Sequence, residues 1–184
     1  MKGASDRRLS VGVMKMSADN IPDTAWKTTL IDDVGETVNL CFQCGTCTSS
    51  CPSGRMTAFR TRQILRLAQF GLPELILPSD DLWYCTTCFT CYERCPRGVE
   101  IVDIITSLRN MAVRAGFMSE NHKDLVKTLY ETGHLVPTSD KIMALRKTVG
   151  LEETPNTPLR DEESLKQVQY IMEQTRLLML IKED

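Results

Sequence analysis

Eight cysteines, the only ones in the chain, fall into two blocks that share the pattern C-x2-C-x2-C-x3-C-P. The first block contains Cys41, Cys44, Cys47 and Cys51, and the second contains Cys85, Cys88, Cys91 and Cys95. A shift of 44 residues superposes the blocks, and it also brings Thr46 onto Thr90 and Gly54 onto Gly98. Thiolates with this spacing hold cubane iron–sulfur clusters in two-cluster ferredoxins. The repeat therefore predicts an electron carrier.

The spacing suits a four-iron cube for a physical reason. Three cysteines two residues apart can wrap a tight loop around three iron corners, with backbone N–H groups turned toward the cluster sulfurs. The fourth cysteine lies three residues further on, and in two-cluster ferredoxins it binds the other cluster. The predicted ligands of one cluster are Cys41, Cys44, Cys47 and Cys95, and those of the other are Cys85, Cys88, Cys91 and Cys51. The proline after each fourth cysteine is expected to end the loop and start a helix.

Two other uses of the cysteines fit the pattern less well. A disulfide framework is disfavoured because the chain has no secretory signal and a modest cysteine content. A zinc module uses cysteines as separated pairs around one tetrahedral ion. Neither use needs two triple runs with identical tails.

Composition excludes further classes of partner. The net charge of −2 and the isoelectric point of about 5.8 give no basis for nucleic-acid binding. The longest apolar run, at 177–181, is far shorter than the roughly 20 residues of a membrane-spanning helix, so no membrane span is expected. The N-terminus has scattered charges and no apolar core, so no signal peptide is expected. Reduced thiols in a chain without an export signal favour the cytoplasm.

Apolar spacing predicts helices and no strand, which makes the expected fold class all-α. The predicted helices cover 26–38, 57–70, a segment between Pro96 and Gly116, 120–132, 140–149 and 161–175. Core candidates on the second and third of these are Phe59, Ile64, Leu65, Leu67, Ala68, Ile101, Ile104, Ile105, Leu108, Ala112 and Ala115. Ser119 and Ser139 are the expected caps of the next two helices.

The predicted organisation has three parts. A polar N-terminal arm at 1–25 precedes an α-helical ferredoxin-like domain at 26–118, which binds both clusters. A helical extension at 119–184 is expected to pack against other subunits, and its two-proline stretch at 151–160 is predicted to be a linker or strap. Because each fourth cysteine crosses to the opposite cluster, the two halves are expected to be related by a pseudo-twofold axis.

A basic group of arginines lies on the helix predicted over 57–70, namely Arg55, Arg62 and Arg66, with Arg60 to one side. Two interpretations are open. One is an ordinary solvated helix face, and the other is a docking surface for an acidic partner close to the first cluster.

The sequence carries no motif of substrate chemistry. It has no G-x-G-x-x-G dinucleotide loop and no P-loop. Two clusters with four thiolates each use every cysteine in the chain, so no thiol is left as a nucleophile. We therefore expect no catalytic residue on this chain and a role in electron transfer.

Two stretches resemble the C subunit of heterodisulfide reductase from methanogenic archaea, LCFQCGTCTSSCPSGRMTAFRTRQILRLAQFG and WYCTTCFTCYERCPRGVEIVDIITSLRNMAVRAG. The resemblance runs from about residue 38 to residue 150, includes ETGHLVPTSD at 131–140, and continues more loosely to the end. The contexts CGTCTxSCPSG and CTTCxTCxERCPR are much more specific than the cysteine spacing alone. The first 25 or so residues match nothing recognisable.

The resemblance implies an α-helical ferredoxin fold with two [4Fe–4S] clusters. It implies a cytoplasmic relay between a flavin-containing iron–sulfur subunit and a catalytic subunit that reduces the mixed disulfide of coenzymes M and B in methanogenesis. A hydrogenase or formate dehydrogenase is the expected associate of this complex. The CCG motifs of the catalytic subunit are absent here. The chain is thus expected to be a non-catalytic electron-transfer subunit of an oxidoreductase.

Three alternatives to this function remain open. One is the relay subunit of another dehydrogenase, of the fumarate or glycerol-3-phosphate type. Another is a free ferredoxin, which the long helical extensions disfavour. The third is a zinc-stabilised interaction module without a redox role.

Overall fold

The computed structural model describes residues 21–136 and 139–181. Within these ranges the chain is helical and forms no strand, which confirms the predicted all-α fold class. The chain divides into two compact units, Met1–Phe117 and Met118–Asp184. Residues 1–20 of the predicted arm lie outside the described residues, and the roles predicted for 26–118 and 119–184 stay predictions.

Short helices dominate the first unit. Its α-helices are α1 (Thr24–Val34), α2 (Thr46–Ser50), α3 (Pro52–Met56), α4 (Thr61–Phe70), α5 (Pro73–Ile76), α6 (Thr90–Glu93) and α7 (Ile101–Arg114). Two 3₁₀ segments, Glu36–Leu40 and Asp80–Tyr84, come before the two cysteine runs. The α-helices described in the second unit are α8 (Glu120–Thr132), α9 (Asp140–Thr148) and α10 (Glu162–Gln174).

The helix predicted over 26–38 is shorter than expected. Asp23 caps α1, since its side chain accepts a hydrogen bond from the Trp26 N–H at 2.8 Å. The helix ends at Val34, where Gly35 adopts a positive φ of 74°, and the chain continues as the 3₁₀ segment. Val38 is nevertheless fully buried, so the apolar spacing identified a core residue outside the helix.

The helix predicted over 57–70 is also shorter, because α4 begins only at Thr61. The five core candidates of this segment are all buried, including Phe59, which lies in the link between α3 and α4. The predicted stop at Gly71 is confirmed, and Pro73 then opens α5. Burial was predictable here because apolar residues mark the core in irregular backbone as well as in helices.

Helix α7 is the longest described helix of the first unit and carries most of its predicted core. All of its core candidates are buried except Ala115, which follows the last helical residue and is exposed. Helix α7 packs against α1, and Ser107 donates a hydrogen bond to the Asp33 carboxylate of that helix. Helix α1 also contacts α4, so these three helices frame the core behind the cysteine runs.

The two prolines that follow the fourth cysteines behave differently. Pro52 is the first residue of α3, as predicted. The prediction is wrong at Pro96, because the chain makes a turn there and α7 begins only at Ile101. The second run thus has a longer non-helical exit than the first.

The second unit follows its predicted helices closely. Helix α8 has the predicted bounds, α9 ends one residue early, and α10 lies within 161–175. Asp161 caps α10 by accepting hydrogen bonds from the Glu163 and Ser164 N–H groups. Helix α10 packs against α8, where Gln169 Nε2 donates to the Tyr130 carbonyl at 3.0 Å. No helix in the described part of the chain is long and apolar enough to cross a bilayer.

Candidate iron–sulfur site

The structural repeat begins before the cysteines. The 3₁₀ segments Glu36–Leu40 and Asp80–Tyr84 lie 44 residues apart, which is the offset of the two cysteine runs. Val38 and Leu82 occupy equivalent positions in these segments, and both are fully buried. The burial of these two residues fixes the start of each run in the core. We call this start, from the buried residue to the first cysteine, the entrance of the run.

Each cysteine run turns twice through left-handed backbone. In the first run these residues are Gln43, with φ 66°, and Gly45, with φ 86°. In the second run they are Thr87, with φ 49°, and Phe89, with φ 60°, again 44 residues away. Left-handed residues inside a turn direct successive N–H groups into a concave nest that binds anions, including iron–sulfur clusters. Thr87 and Phe89 carry side chains in a conformation that such residues rarely adopt, which is backbone strain of the kind found at functional sites.

The second cysteine of each run lies beside a threonine hydroxyl. The Cys44 thiol donates to Thr46 Oγ1 at 3.4 Å, and the Cys88 thiol donates to Thr90 Oγ1 at 3.4 Å. These hydroxyls are the main cause that lowers the pKa of both thiols below the ordinary value. When the sulfur is a thiolate on iron, the hydroxyl is the donor and stabilises the negative charge of the sulfur.

The fourth cysteine of each run accepts a backbone hydrogen bond. The Gly54 N–H donates to Cys51 Sγ at 3.3 Å, and the Val99 N–H donates to Cys95 Sγ at 3.3 Å. Each of these donors lies in the segment that follows its cysteine. The backbone therefore fixes the position of both sulfurs that the sequence assigns to the opposite cluster.

The two runs meet through the short helices α2 and α6. These helices contain Cys47 and Cys91, and they pack directly against each other. Arg94 Nη1 donates to Ser50 Oγ at 3.4 Å across this contact, and these two residues also lie 44 positions apart. Equivalent residues thus face each other, as the predicted pseudo-twofold relation requires.

Cys47 and Cys91 are buried, with 8% and 9% of their surface exposed. Burial raises the pKa of the Cys47 thiol. Burial also raises the pKa of the Cys91 thiol to about 12, and negative charge on Cys85 and Cys47 adds to this rise. A thiolate at either position needs a neighbouring positive charge, which a bound iron supplies.

The donor set fits four-iron cubes. All eight cysteines are free thiols. In the described ranges, no three or more Cys, His, Asp or Glu side chains are grouped to share a single metal ion. A cube instead binds each thiolate through a different iron atom and uses backbone donors to its sulfurs. The spaced thiols and left-handed loops of both runs meet those requirements.

A glutamine closes the entrance of the first run. Gln69 of α4 donates through Nε2 to the main-chain oxygens of Val38 and Cys41, at 3.0 and 2.8 Å. Gln69 Oε1 accepts a hydrogen bond from Gln43 Nε2 at 3.3 Å. Gln43 Nε2 also donates to Cys41 Sγ at 3.4 Å. This neutral clamp ties α4 to Cys41, the first cysteine of the run.

An arginine closes the entrance of the second run. Arg109 of α7 donates through Nε to the main-chain oxygen of Leu82 at 2.8 Å and through Nη2 to that of Cys85 at 2.5 Å. Its guanidinium carbon lies 5.7 Å from the centre of the Trp83 ring. Leu82 and Cys85 are the repeat equivalents of the residues that Gln69 holds. Sequence reasoning missed both clamps, because their donors lie on helices far from the cysteines and at different offsets.

The arginines predicted to share one helix lie on two helices and the link between them. Arg55 belongs to α3, whereas Arg60 precedes α4 and donates through Nη1 to one main-chain oxygen of α3 and two of the link. Arg62 approaches the first run, with Nη1 3.5 Å from the Gln43 oxygen. Arg66 stacks on Phe70 at 4.3 Å. The solvated face and the docking surface both stay predictions.

Comparison with known proteins gives the same picture of the cysteine runs. A family described as "4Fe-4S dicluster domain" matches residues 36–99, which include both runs. The iron–sulfur C subunit of the CoB–CoM heterodisulfide reductase of Methanopyrus kandleri is 52% identical over 73% of this chain and 70% of its own length. The C subunit of the H2:CoB–CoM heterodisulfide,ferredoxin reductase of Methanothermobacter marburgensis is 50% identical over 80% of each chain.

The chain belongs to the family of heterodisulfide reductase C subunits. A further member, the C subunit of the ferredoxin:CoB–CoM heterodisulfide reductase of Methanosarcina mazei, is 43% identical over 72% of this chain and 81% of its own length. The predictions of two [4Fe–4S] clusters and of an electron-transfer subunit of this oxidoreductase are confirmed. As a member of this family, the chain works together with other subunits of a complex.

Proposed function

We propose that this chain relays electrons from a flavin-containing subunit to a catalytic subunit that reduces the mixed disulfide of coenzymes M and B. The contact between α2 and α6 is the observation that carries the proposal, because it joins the two ligand runs within one compact unit. A relay needs two electron sites close together, and this contact favours such proximity. The names of the relatives specify the CoB–CoM heterodisulfide as their substrate, which supports the same substrate for the complex of this chain.

The chain itself holds and shields the electron sites. When bound, the clusters supply one-electron redox chemistry. Burial of Cys47 and Cys91 keeps water from one ligand of each run. The loop N–H groups and the hydroxyls of Thr46 and Thr90 stabilise negative charge on the ligands. Reduction of a disulfide to two thiols consumes two electrons and two protons, so the chain must pass two single electrons per turnover.

We assign the ligands in a crossed arrangement. One set is Cys41, Cys44, Cys47 and Cys95, and the other is Cys85, Cys88, Cys91 and Cys51. The Ser53 hydroxyl donates to the Tyr84 main-chain oxygen at 2.6 Å, so the backbone two residues after Cys51 lies against the residue before Cys85. This contact supports the crossing, because it holds the fourth cysteine of the first run near the second run.

Anaerobic purification of the native complex tests the relay. We expect flavin-containing and disulfide-reducing subunits to copurify with the chain. Its clusters should be reduced by the electron donor and reoxidised, in rapid-freeze electron paramagnetic resonance (EPR) spectra, when the heterodisulfide is added. Two results together would support a free ferredoxin instead. The chain would be isolated as a lone cluster-bearing monomer, and its clusters would not be reoxidised by heterodisulfide when separately purified flavin-containing and disulfide-reducing subunits are added.

We propose that electrons reach the complex from their ultimate donor through a hydrogenase or a formate dehydrogenase. Names of relatives specify H2 in one case and either H2 or formate in another. Reduction of the complex under H2 and with formate, measured separately in cell extracts, distinguishes these donors. The cytoplasm remains the proposed location of the assembly, and fractionation of cells with an antibody to the chain tests it.

A further inference from the structure

The two runs are held by clamps that differ in charge. Gln69 binds the main-chain oxygens at the entrance of the first run, and Arg109 binds the equivalent oxygens of the second. We propose that Arg109 is a positioning residue that raises the reduction potential of the cluster bound by Cys85, so that the electron favours this cluster. Gln69 holds the other entrance without adding charge.

The guanidinium of Arg109 is fixed in place. It donates two hydrogen bonds, to the main-chain oxygens of Leu82 and Cys85, and it lies over the ring of Trp83. The side chain is half-buried, and a guanidinium stays protonated in proteins. A permanent positive charge is therefore held within hydrogen-bonding distance of the main chain of Cys85, the first proposed ligand of the second run.

This charge acts differently on the two redox states. When one electron moves from the cluster of the first run to that of the second, the first is oxidised and the second is reduced. No bond forms or breaks, and the second site gains one negative charge. A nearby cation stabilises that added charge, and partial burial strengthens the attraction relative to water.

Two exposed cations contact the first run, Arg94 through Ser50 and Arg62 through Gln43, and neither cancels the difference. Arg62 Nη1 lies 3.5 Å from the Gln43 oxygen. The side chain is exposed, so water and salt screen its charge. Arg109 is less exposed and makes shorter hydrogen bonds, and its effect on a cluster is therefore expected to be larger.

A redox titration of the full-length chain with both clusters, followed by EPR, tests the inference. Replacement of Arg109 by glutamine (Arg109→Gln) should lower one midpoint potential and leave the other unchanged. We expect a shift on the order of a tenfold change in electron distribution between the clusters, which equals 59 mV for one electron. Arg109→Lys, which keeps the charge, should stay close to the wild type.

Matched variants at the neutral clamp separate charge from loop support. Gln69→Met removes three hydrogen bonds without changing charge and should leave both midpoints near their original values. Gln69→Arg should raise the midpoint that Arg109→Gln does not move, and it tests the proposal even if Arg109→Gln assembles no clusters. Equal shifts in Arg109→Lys and Arg109→Gln, or no rise in Gln69→Arg, would overturn the proposal.

The inference rests on the proposed binding of Cys85 to one cluster but not on the identity of the partners. The titration contains no partner subunit. Failure of the relay would appear as missing reoxidation in the complex, whereas failure of the clamp would appear as unshifted midpoints in the isolated chain.

Discussion

The two cysteine runs share a backbone but differ in the side chains that support it. Both begin after a 3₁₀ segment with one fully buried apolar residue, turn twice through left-handed backbone and place a threonine hydroxyl beside the second sulfur. They differ in the residue at the second left-handed position, in the clamp at the entrance and in the exit after the fourth cysteine. The shared features are those that a cube requires, and the differences are available to make the two electron sites unequal.

The largest expected difference between the runs concerns the glycines after the fourth cysteines. A Cβ at Gly54 would lie 2.9 Å from the main-chain oxygen of Phe59 and 3.4 Å from Cys51 Cβ, whereas one at Gly98 would meet nothing within 4 Å. Gly54→Ala should therefore cost about 3 kcal/mol, at the upper end of overpacking. Gly98→Ala should cost only the ~1–2 kcal/mol of a side chain in left-handed backbone.

Iron content and the half-life of visible absorption in urea measure both effects. We expect Gly54→Ala to lose iron readily and Gly98→Ala to keep two clusters. Equal iron loss in the two variants would contradict the view that the close approach of the Phe59 main-chain oxygen makes Gly54 necessary.

A smaller effect is expected at the second left-handed position, where Gly45 corresponds to Phe89. Gly45→Ala introduces a side chain at φ 86°, and its Cβ would meet only the Arg62 side chain, at 3.8 Å. The cost should be about 1–2 kcal/mol, and both clusters should remain because the second run already accepts a side chain at this position. The visible absorption spectrum of the variant measures cluster content. Loss of a cluster would show that the two loops differ more than the similarity of their φ angles indicates.

The smallest effect is expected at the hydroxyls. Thr46→Val and Thr90→Val remove one hydroxyl each while keeping the shape of the side chain. Because both hydroxyls lie 3.4 Å from their sulfurs, each variant should lower one midpoint potential by a similar amount, a fraction of the ~59 mV that corresponds to a tenfold change. Redox titrations of the two variants measure the midpoint potentials. A shift in only one variant would show that the two hydroxyls do not act equally on their clusters.

The sequence predicted what depends on cysteine spacing and on apolar residues. It identified the two cysteine runs and their repeat, the all-α class, the bounds of α8 and nearly all of the predicted core at 57–70 and in α7. These features depend on short-range periodicity and on burial. Helix starts were predicted less well: α4 begins at Thr61 because the link that contains Phe59 must turn to bury that ring.

The clamps were beyond sequence reasoning. Gln69 and Arg109 act on equivalent carbonyls from positions that are not related by the 44-residue repeat. Nothing in a pattern of residue types links a side chain on α4 or α7 to a carbonyl some 25 residues earlier. Such tertiary hydrogen bonds depend on helix packing, and only coordinates reveal them.

Each fourth cysteine is expected to bind the cluster of the other run, and two double variants test this crossed ligation. Cys44→Ala with Cys95→Ala removes two ligands that we assign to one cluster. Cys44→Ala with Cys51→Ala removes one ligand from each. The measurement is the number of intact [4Fe–4S] clusters per chain, from Mössbauer spectra and iron analysis after anaerobic purification. Crossed ligation predicts one intact cluster in the first variant and none in the second, and the reverse result would contradict it.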